Sequence, residues 1–240
     1  MMSESLFEVW IYLAASPLLH LLLTLLAFFV ARWLNKRAGG TPLLHPVLVA
    51  IALLITWLIV TNTPYSVYFA GAQFIHFLMG PAIVSLAVPL FDHKARIKRE
   101  FMPLILASLV GILTAVSSTW LLVHLLGGGE ATLLSLLPKS VTTPIAMGIA
   151  EQIGGYPALA AGLVLITGAI GCVLGPPVFK LLRIQDHAVQ GFGLGLAAHG
   201  FGTAQSFTLS NLAGAFAGLS MGVAGLLSAF LIPLLVRLFG

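Results

Sequence analysis

The sequence predicts an all-α integral membrane protein with about six transmembrane helices and two further helical segments that are interrupted. Apolar residues make up 59% of the 240-residue chain and charged residues only 8%, whereas soluble domains carry about 25% charged residues. Apolar runs recur along the chain, and several reach the roughly 20 residues that a helix needs to cross a bilayer. No segment shows the alternating hydrophobicity of an outer-membrane strand. A lipid bilayer is therefore the expected environment.

The apolar runs define six spans and two discontinuous segments within a single domain, residues 1–240. The spans are 8–31, 43–60, 67–91, 101–126, 157–179 and 211–238. Segments 132–155 and 188–209 are also apolar, but Pro, Gly, Ser and Thr residues and a lysine or histidine interrupt them. Non-helical backbone at membrane depth is tolerated only where it is buried in protein or lines a cavity. The two interruptions are therefore the places to look for a site.

Basic residues predict the orientation of the spans. Nine of the 11 Lys and Arg residues lie in three loops, namely Arg32, Lys36 and Arg37, then Lys94, Arg96, Lys98 and Arg99, then Lys180 and Arg183. The positive-inside rule places these loops in the cytoplasm. The net charge of +4 is thus a topology signal and not the signature of a nucleic-acid-binding protein. The N-terminus is expected outside.

This orientation constrains segment 132–155. Between the second and third basic loops the chain must cross the membrane an even number of times, and spans 101–126 and 157–179 already supply two crossings. The segment should therefore enter from outside and turn back as a re-entrant hairpin. The alternative is a plain crossing, which would place Lys180 and Arg183 outside.

A weak internal repeat supports the hairpin. A shift of 60 positions pairs Lys139 with His199 and Thr143 with Thr203. Each copy would be one hairpin plus one crossing, so the two copies would have inverted topologies, as in many secondary transporters. The alternative is coincidence among small and apolar residues. The predicted parts are a scaffold half and two repeat units, at residues 1–126, 132–183 and 188–240.

The stretch "LLPKSVTTPIA", residues 136–146, is the first interruption. Pro138 and Pro144 lack amide donors, so the backbone between them should be unwound. Lys139 costs at least roughly 2.5 kcal/mol at a bilayer centre unless it is paired or hydrated, and the helix that resumes at Pro144 offers free amides. These features predict a carboxylate pocket formed by Lys139, Ser140, Thr142 and Thr143. Alternatively, the lysine snorkels outward and the hydroxyls cap a helix.

The stretch "GFGLGLAAHGFGTAQSF", residues 191–207, is the second interruption. Its five glycines make a poor continuous helix and a good backbone-lined cavity. His199, Gly202 and Thr203 are predicted to complete the anion site, and His199 is a candidate carrier of a coupling proton because its ordinary pKa is near neutrality. The alternative is a histidine hydrogen-bonded between helices, with glycines that allow close packing.

Glycine marks two further places in the spans. Gly80 and Pro81 are predicted to break the third span, or to kink it for packing. Gly214, Gly218 and Gly222 lie on one helix face, which lets another helix approach closely and suggests a homodimer.

We expect no enzyme activity and no metal. Ser220 lies in "GLSMG", which fits the G-x-S-x-G pattern, but a nucleophile elbow needs a strand-turn-helix context that an apolar span does not provide. Ser220 is therefore interpreted as a packing residue. The chain has no metal-binding or nucleotide-binding motif, so a coupling H⁺ or Na⁺ is the only expected cofactor.

The chain resembles the LrgB/CidB family from about Leu78 onward, in the motifs "FLMGPAIVSLAVPLF", "LPKSVTTPIAM", "IGGYPALAA", "GAIGCVLGPP", "GLGLAAHGFGTAQS" and "GAFAGLSMGVAGLLSAFLIPLL". The resemblance implies a bacterial cytoplasmic (inner) membrane protein. Bacterial members are associated with control of murein hydrolases and autolysis, are described as antiholin- or holin-like, and pair with a small LrgA/CidA-type membrane protein. The plant relative is a plastid-envelope glycolate/glycerate translocator.

Two functions are therefore expected, and a third is much less favoured. The first is a secondary transporter of small hydroxycarboxylates, linked to protons or sodium, in which a C2 or C3 anion occupies the Lys139 pocket. The second is an antiholin-type regulator that acts by assembly with an LrgA/CidA-type partner. An intramembrane hydrolase using Ser220 is the distant third. The buried lysine between prolines favours the first, because a pure assembly protein has no use for it.

Overall fold

The computed structural model describes residues 17–41 and 44–239, and the regular secondary structure within them is helical. This confirms the all-α prediction. The described helices are α1 Pro17–Arg37, α2 Pro46–Val60, α3 Tyr65–Ser85, α4 Ala87–Asp92, α5 Lys94–Arg99, α6 Phe101–Leu125, α7 Glu130–Leu136, α8 Thr143–Ile153, α9 Pro157–Leu181, α10 His187–Leu209 and α11 Asn211–Phe239.

Five described stretches are long and apolar enough to span a membrane: Pro17–Arg37, Tyr65–Asp92, Phe101–Leu125, Pro157–Leu181 and Asn211–Leu238. They expose large apolar side chains, as contact with lipid requires; Leu125 and Phe230 are each 72% exposed. Five of the six predicted spans correspond to these stretches, although the start of span 8–31 and the N-terminus lie outside the described residues. The sixth, 43–60, contains α2, whose 15 residues extend about 22 Å.

The described residues form two compact units, one up to Ser85 and one from Leu86 onward. In the first unit, α1 packs against α2 and α3. Gly71 of α3 approaches the backbone carbonyl of Pro17, and the hydroxyls of Thr24 and Tyr68 lie 3.0 Å apart.

The predicted break at Gly80 and Pro81 is wrong. Helix α3 continues through both residues and ends at Ser85. Proline removes a single donor, and transmembrane helices tolerate this loss. Pro81 is therefore accommodated inside the helix.

The second unit contains α4 to α11 and carries the two interrupted segments. Helix α6 belongs to this unit, where it packs against α7, α10 and α11. Side chains from α6, α7, α8, α9 and α11 and from the turn after α7 form the main apolar core, which includes Val123, Leu133, Leu137, Val141, Ile149, Val164 and Ile232.

The second and third basic segments lie at the same end of this unit. Arg96 donates from Nη2 to the carboxylate of Asp186 at 2.6 Å, and Asp186 follows Lys180 and Arg183 in the chain. The hydrogen bond from Arg96 holds the pKa of Asp186 below its ordinary value. Asp186 also caps α10 by accepting from the amide of Ala188 at 2.7 Å. Because both segments share one end, the chain between them makes no net crossing.

Candidate functional site

The first interrupted segment folds back on itself. Helices α7 and α8 have 7 and 11 residues, which extend only about 10 and 16 Å. The amide of Tyr156 donates to Oγ of Ser135 at 2.8 Å, whereas a continuous helix would separate these residues by about 32 Å. We call residues 130–156 the first hairpin; its turn is residues 137–142.

Proline and glycine explain where this hairpin turns and closes. Pro138 lies in the turn, and Pro144 occupies the first turn of α8, where its missing amide donor costs nothing. Gly154 ends α8 in the left-handed conformation with φ 87°. A β-carbon on Gly155 would lie 2.8 Å from the backbone of Leu134, so the two arms meet at a position that only glycine can occupy without a shift.

The second interrupted segment also folds back, at one residue. His199 has φ 41° and ψ −122°, which divides α10 into two half-helices. Nδ1 of His187 lies 3.0 Å from Oγ of Ser210, although 23 residues of continuous helix would separate them by about 34 Å. The α-carbon of Gly202 packs directly on the carbonyl of Leu194. We call residues 187–210 the second hairpin.

Both turns lie at mid-length of a spanning helix. A β-carbon on Gly168 would lie 2.7 Å from Cε1 of His199, and Gly168 is residue 12 of the 25 in α9. A β-carbon on Gly225 would lie 2.7 Å from Cδ1 of Ile145, a residue that follows the turn of the first hairpin. Gly225 is residue 15 of the 29 in α11. The turns of both hairpins are therefore far from the ends of these helices.

The two hairpins enter from opposite ends of α9. The first hairpin closes at Tyr156, immediately before α9 begins, and the second begins at His187, shortly after α9 ends. Gly175 of α9 faces Leu194 while Gly171 faces Ala198, so the first arm of the second hairpin runs antiparallel to α9. The hairpins thus point toward each other.

A cavity of about 450 Å³ lies between them. This volume is within the ~300–1,000 Å³ range of small-molecule pockets. The turn of the first hairpin, the first arm of the second hairpin, and helices α6, α9 and α11 form its walls. Most lining side chains are apolar, and its four hydroxyls belong to Thr114, Ser140, Thr167 and Ser228.

Ser228 differs from the other buried hydroxyls of the second unit. Among the described residues, Ser108, Thr119, Ser135, Thr203, Ser206 and Ser220 each donate to a carbonyl of their own helix. Ser228 is only 2% exposed and lines the cavity, yet it has no hydrogen-bond partner among the described residues. Because buried polar groups are ordinarily hydrogen-bonded, the free hydroxyl of Ser228 points to a ligand. The half-buried Ser140 and Thr167 and the exposed Thr114 also have free hydroxyls among the described residues.

The residues of the predicted carboxylate pocket lie at or next to this cavity. Pro138 and Ser140 line it, and Lys139 lies half-buried between them without lining it. Among the described residues no carboxylate forms an ion pair with the ammonium of Lys139. Thr142 precedes α8 without a side-chain capping bond, and Thr143 is the first residue of that helix; neither lines the cavity.

The structure does not bring His199, Gly202 and Thr203 to the cavity. Nε2 of His199 lies 3.1 Å from the carbonyl oxygen of Val164 on α9, and Thr203 donates to the carbonyl of His199 at 2.9 Å. Together with the close packing of Gly202, these bonds hold the second turn in place. These contacts agree with the structural role that the sequence left open as the alternative, and the place of the three residues in an anion site stays a prediction.

Thr114, Thr167 and Ser228 were missed by the sequence analysis. Each is a hydroxyl residue within an apolar span, and such residues ordinarily bond to the preceding helical turn. No local pattern distinguishes them from Ser220, which does so at 3.0 Å. Only the assembly of the helices around the cavity identifies them.

The remaining predicted features lie away from the cavity. Ser220 sits in the continuous helix α11, so the nucleophile-elbow geometry is absent. Gly214 contacts the ring of Phe207 and Gly218 faces Leu86, so side chains of this chain already cover part of the glycine face proposed for a homodimer. Within residues 17–41 and 44–239, no three His, Cys, Asp or Glu side chains are placed to hold a metal ion.

Apolar spanning helices and two opposed helical hairpins define a multi-pass membrane protein. The model of the LrgB-like family matches residues 24–238, and the chain therefore belongs to this family, as its motifs predicted. It is 36% identical over 219 residues to the uncharacterized protein YwbG of Bacillus subtilis, which covers 91% of this chain and 97% of YwbG.

Two further relatives carry descriptive names. The holin-like protein CidB of Staphylococcus epidermidis is 29% identical over 221 residues, or 92% of this chain and 96% of CidB. The antiholin-like protein LrgB of Bacillus mycoides is 29% identical over 225 residues, or 94% of this chain and 98% of LrgB. No solved structure matches the chain.

Proposed function

We propose that this protein is a secondary transporter of small hydroxycarboxylates of the glycolate or glycerate type, with its substrate site at the cavity between the two hairpins. One observation carries the proposal: two hairpins enter from opposite ends of the spanning helices and turn at their mid-length, and a cavity lies between the turn of the first and the first arm of the second. Secondary transporters characteristically bind substrate near the bilayer midplane, where discontinuous helices of inverted repeats meet. In this proposal each hairpin and the following span, α9 or α11, form one inverted repeat.

Lys139 would supply the charge that recognises the carboxylate. Its neighbours on both sides line the cavity, and its ammonium has no carboxylate partner among the described residues. An unpaired lysine at mid-membrane costs at least about 2.5 kcal/mol, and a bound carboxylate would offset this cost. Ser140, and Thr142 and Thr143 at the start of α8, would add hydrogen-bond donors.

The membrane and its coupling ion complete the proposal. The protein would lie in the cytoplasmic membrane, with the basic segments 94–99 and 180–183 in the cytoplasm. A proton or a sodium ion would drive transport, and uptake under an imposed pH gradient or Na⁺ gradient identifies which.

Uptake by proteoliposomes tests the proposal. Labelled glycolate or glycerate should accumulate in liposomes that contain the protein and not in empty ones. Lys139→Ala should lower uptake at least tenfold, because the carboxylate loses its counter-charge. Lys180→Ala, an exposed lysine at the end of α9, is the matched control and should keep wild-type uptake. Equal uptake by Lys139→Ala and wild type, or none by wild type, would overturn the proposal.

A second function is favoured by the names of the relatives, which are called holin-like and antiholin-like. In this proposal the chain regulates murein hydrolase activity by assembly with a small LrgA/CidA-type membrane partner. The test is the rate of induced lysis in a bacterium that lacks its own homologue, with the chain expressed alone or with such a partner. Partner-dependent control of lysis without any uptake would favour this second function over transport.

A further inference from the structure

We propose that Ser228, together with Thr167, binds the hydroxyl group of the substrate and so selects hydroxy-monocarboxylates over their deoxy analogues. This inference rests on the proposed transport function and deepens it, because it assigns the end of the substrate that Lys139 does not hold.

Among the described residues of the second unit, Ser228 is the buried serine or threonine whose hydroxyl has no hydrogen-bond partner. It is 2% exposed, lines the cavity, and makes no hydrogen bond to any described residue. Ser220, on the same helix and fully buried, donates instead to the carbonyl of Ala217 at 3.0 Å. The two serines share a residue type, a helix and a degree of burial, and differ in whether the hydroxyl is already used. The difference coincides with the cavity.

Thr167 extends this polar feature to another wall. It lies half-buried on α9 and lines the same cavity, and its hydroxyl also has no partner among the described residues. The cavity of about 450 Å³ has room for a C2 or C3 acid.

The charge of the walls limits the class of substrate. None of the residues that line the cavity is charged, and Lys139 beside the first turn is the nearest cation in sequence to its lining residues. One carboxylate can pair with this ammonium, whereas a second would be buried without a counter-charge. The hydroxyls of Ser228 and Thr167 suit a neutral hydroxyl. A site that hydrogen-bonds a substrate hydroxyl rejects an analogue without it, because the buried polar groups then stay unpaired.

The test is competition in proteoliposomes that take up labelled glycolate. The competitors are 2-hydroxypropanoate and propanoate, which share a carbon skeleton, and the dicarboxylate malonate. Wild-type protein should prefer 2-hydroxypropanoate at least tenfold by the concentration that halves uptake, and malonate should compete weakly. Ser228→Ala should lower this preference at least fivefold, whereas Ser220→Ala should retain it.

Thr167→Val removes the second hydroxyl without changing side-chain shape, and it should also lower the preference. This variant decides the outcome if Ser228→Ala does not fold. If wild-type protein transports but a folded Ser228→Ala, or in its place Thr167→Val, keeps the wild-type preference, this inference alone fails. If wild-type protein takes up no hydroxycarboxylate, the proposed function fails and the inference fails with it.

Discussion

The two hairpins share a topology but differ in how they turn and in what their turns offer. The first turns over six residues, 137–142, and its turn borders the cavity with a half-buried lysine. The second turns at one residue, His199, which is 3% exposed and bonded to Val164 on α9. The first turn thus presents side chains to the cavity, whereas the second is fixed to a spanning helix. Similar chain paths therefore serve different purposes.

The two hairpins also differ in how closely their glycines pack against other helices. In the second hairpin, β-carbons on Gly191 and Gly195 would collide with the backbone carbonyls of Ala213 and Ala217 on α11. In the first hairpin, a β-carbon on Gly148 of α8 would meet nothing within 4 Å. Small residues let helix backbones approach closely in membranes. The second hairpin is thus packed tightly onto α11, and the following predictions test this contrast.

The largest expected effect is that of Gly195→Ala. Its methyl group would strike the carbonyl oxygen of Ala217, which belongs to the backbone and cannot rotate away. We expect a loss of about 3 kcal/mol in the free energy of unfolding, at the upper end of overpacking effects, measured by denaturation in detergent.

Gly200→Ala in the second hairpin and Gly148→Ala in the first are the controls, because both positions have open space. Both should be neutral or slightly stabilising, since alanine favours the helix. If Gly195→Ala were as stable as these controls, the second hairpin would not be packed as described.

Alanine at the two turns should have opposite effects on stability. His199→Ala removes the hydrogen bond to Val164 and leaves a cavity, with an expected loss of about 2 kcal/mol. Lys139→Ala removes a half-buried ammonium that has no ion-pair partner among the described residues, so the free energy of unfolding should stay constant or rise. Equal losses in thermal denaturation would show that both turns are structural.

The variant His199→Gly measures how much the backbone conformation at residue 199 contributes to the free energy of unfolding. The φ of 41° with ψ of −122° is a conformation that glycine adopts readily and residues with a β-carbon do not. His199→Gly should therefore be more stable than His199→Ala by about 1 kcal/mol. The reverse order in parallel denaturation curves would mean that the turn at 199 has another conformation.

The smallest expected effect concerns the hydrogen bonds of Asp186 and Ser135, one for each hairpin. It is a difference in how the free energy of unfolding depends on pH. Asp186 caps the second hairpin, and the hydrogen bond from Arg96 lowers its pKa. The stability that this carboxylate contributes is present above its unfolded pKa of about 3.9 and is lost as the pH falls through the lower folded pKa. Asp186→Ala should lose about 1 kcal/mol at neutral pH, with the deficit shrinking below about pH 3.9.

Ser135→Ala is the matched change in the first hairpin, where Ser135 bonds the closing residue Tyr156. It removes the acceptor of the Tyr156 amide, so a similar loss of about 1 kcal/mol is expected. Because no ionisable group takes part, this loss should be the same at all pH values where the protein stays folded. A deficit for Asp186→Ala that stayed constant with pH would show that the charge of Asp186 contributes nothing.

Several features could be predicted because they depend on local chemistry. The spans follow from apolar runs, because in lipid the backbone polar groups must be hydrogen-bonded within the helix and the side chains must be apolar. The turn between Pro138 and Pro144 follows from missing amide donors, and α7 indeed ends at Leu136 while α8 begins at Thr143. The even number of crossings before Lys180 follows from the positive-inside rule, and the contact of Arg96 with Asp186 agrees with it.

Other features could not be predicted, because they depend on which helices meet. Gly80 and Pro81 combine two helix-breaking residues, yet α3 continues through them. His199 has the residue type and the glycine-rich surroundings of a binding residue, but its ring lies against α9. Composition favours a break in both places. The helix continues through Gly80 and Pro81, which are exposed, whereas contact with α9 fixes the turn at His199.

The amino-acid sequence alone thus determines the membrane class, the spans and the position of the first turn. Apolar runs, prolines and basic loops act locally, on the chain over one or two helical turns. The cavity, the free hydroxyl of Ser228 and the fixed position of His199 arise only after α6, α9 and α11 pack around the hairpins. Hydrogen bonds and contacts between helices act across the fold, and identical serines on one helix, 220 and 228, acquire different surroundings from them.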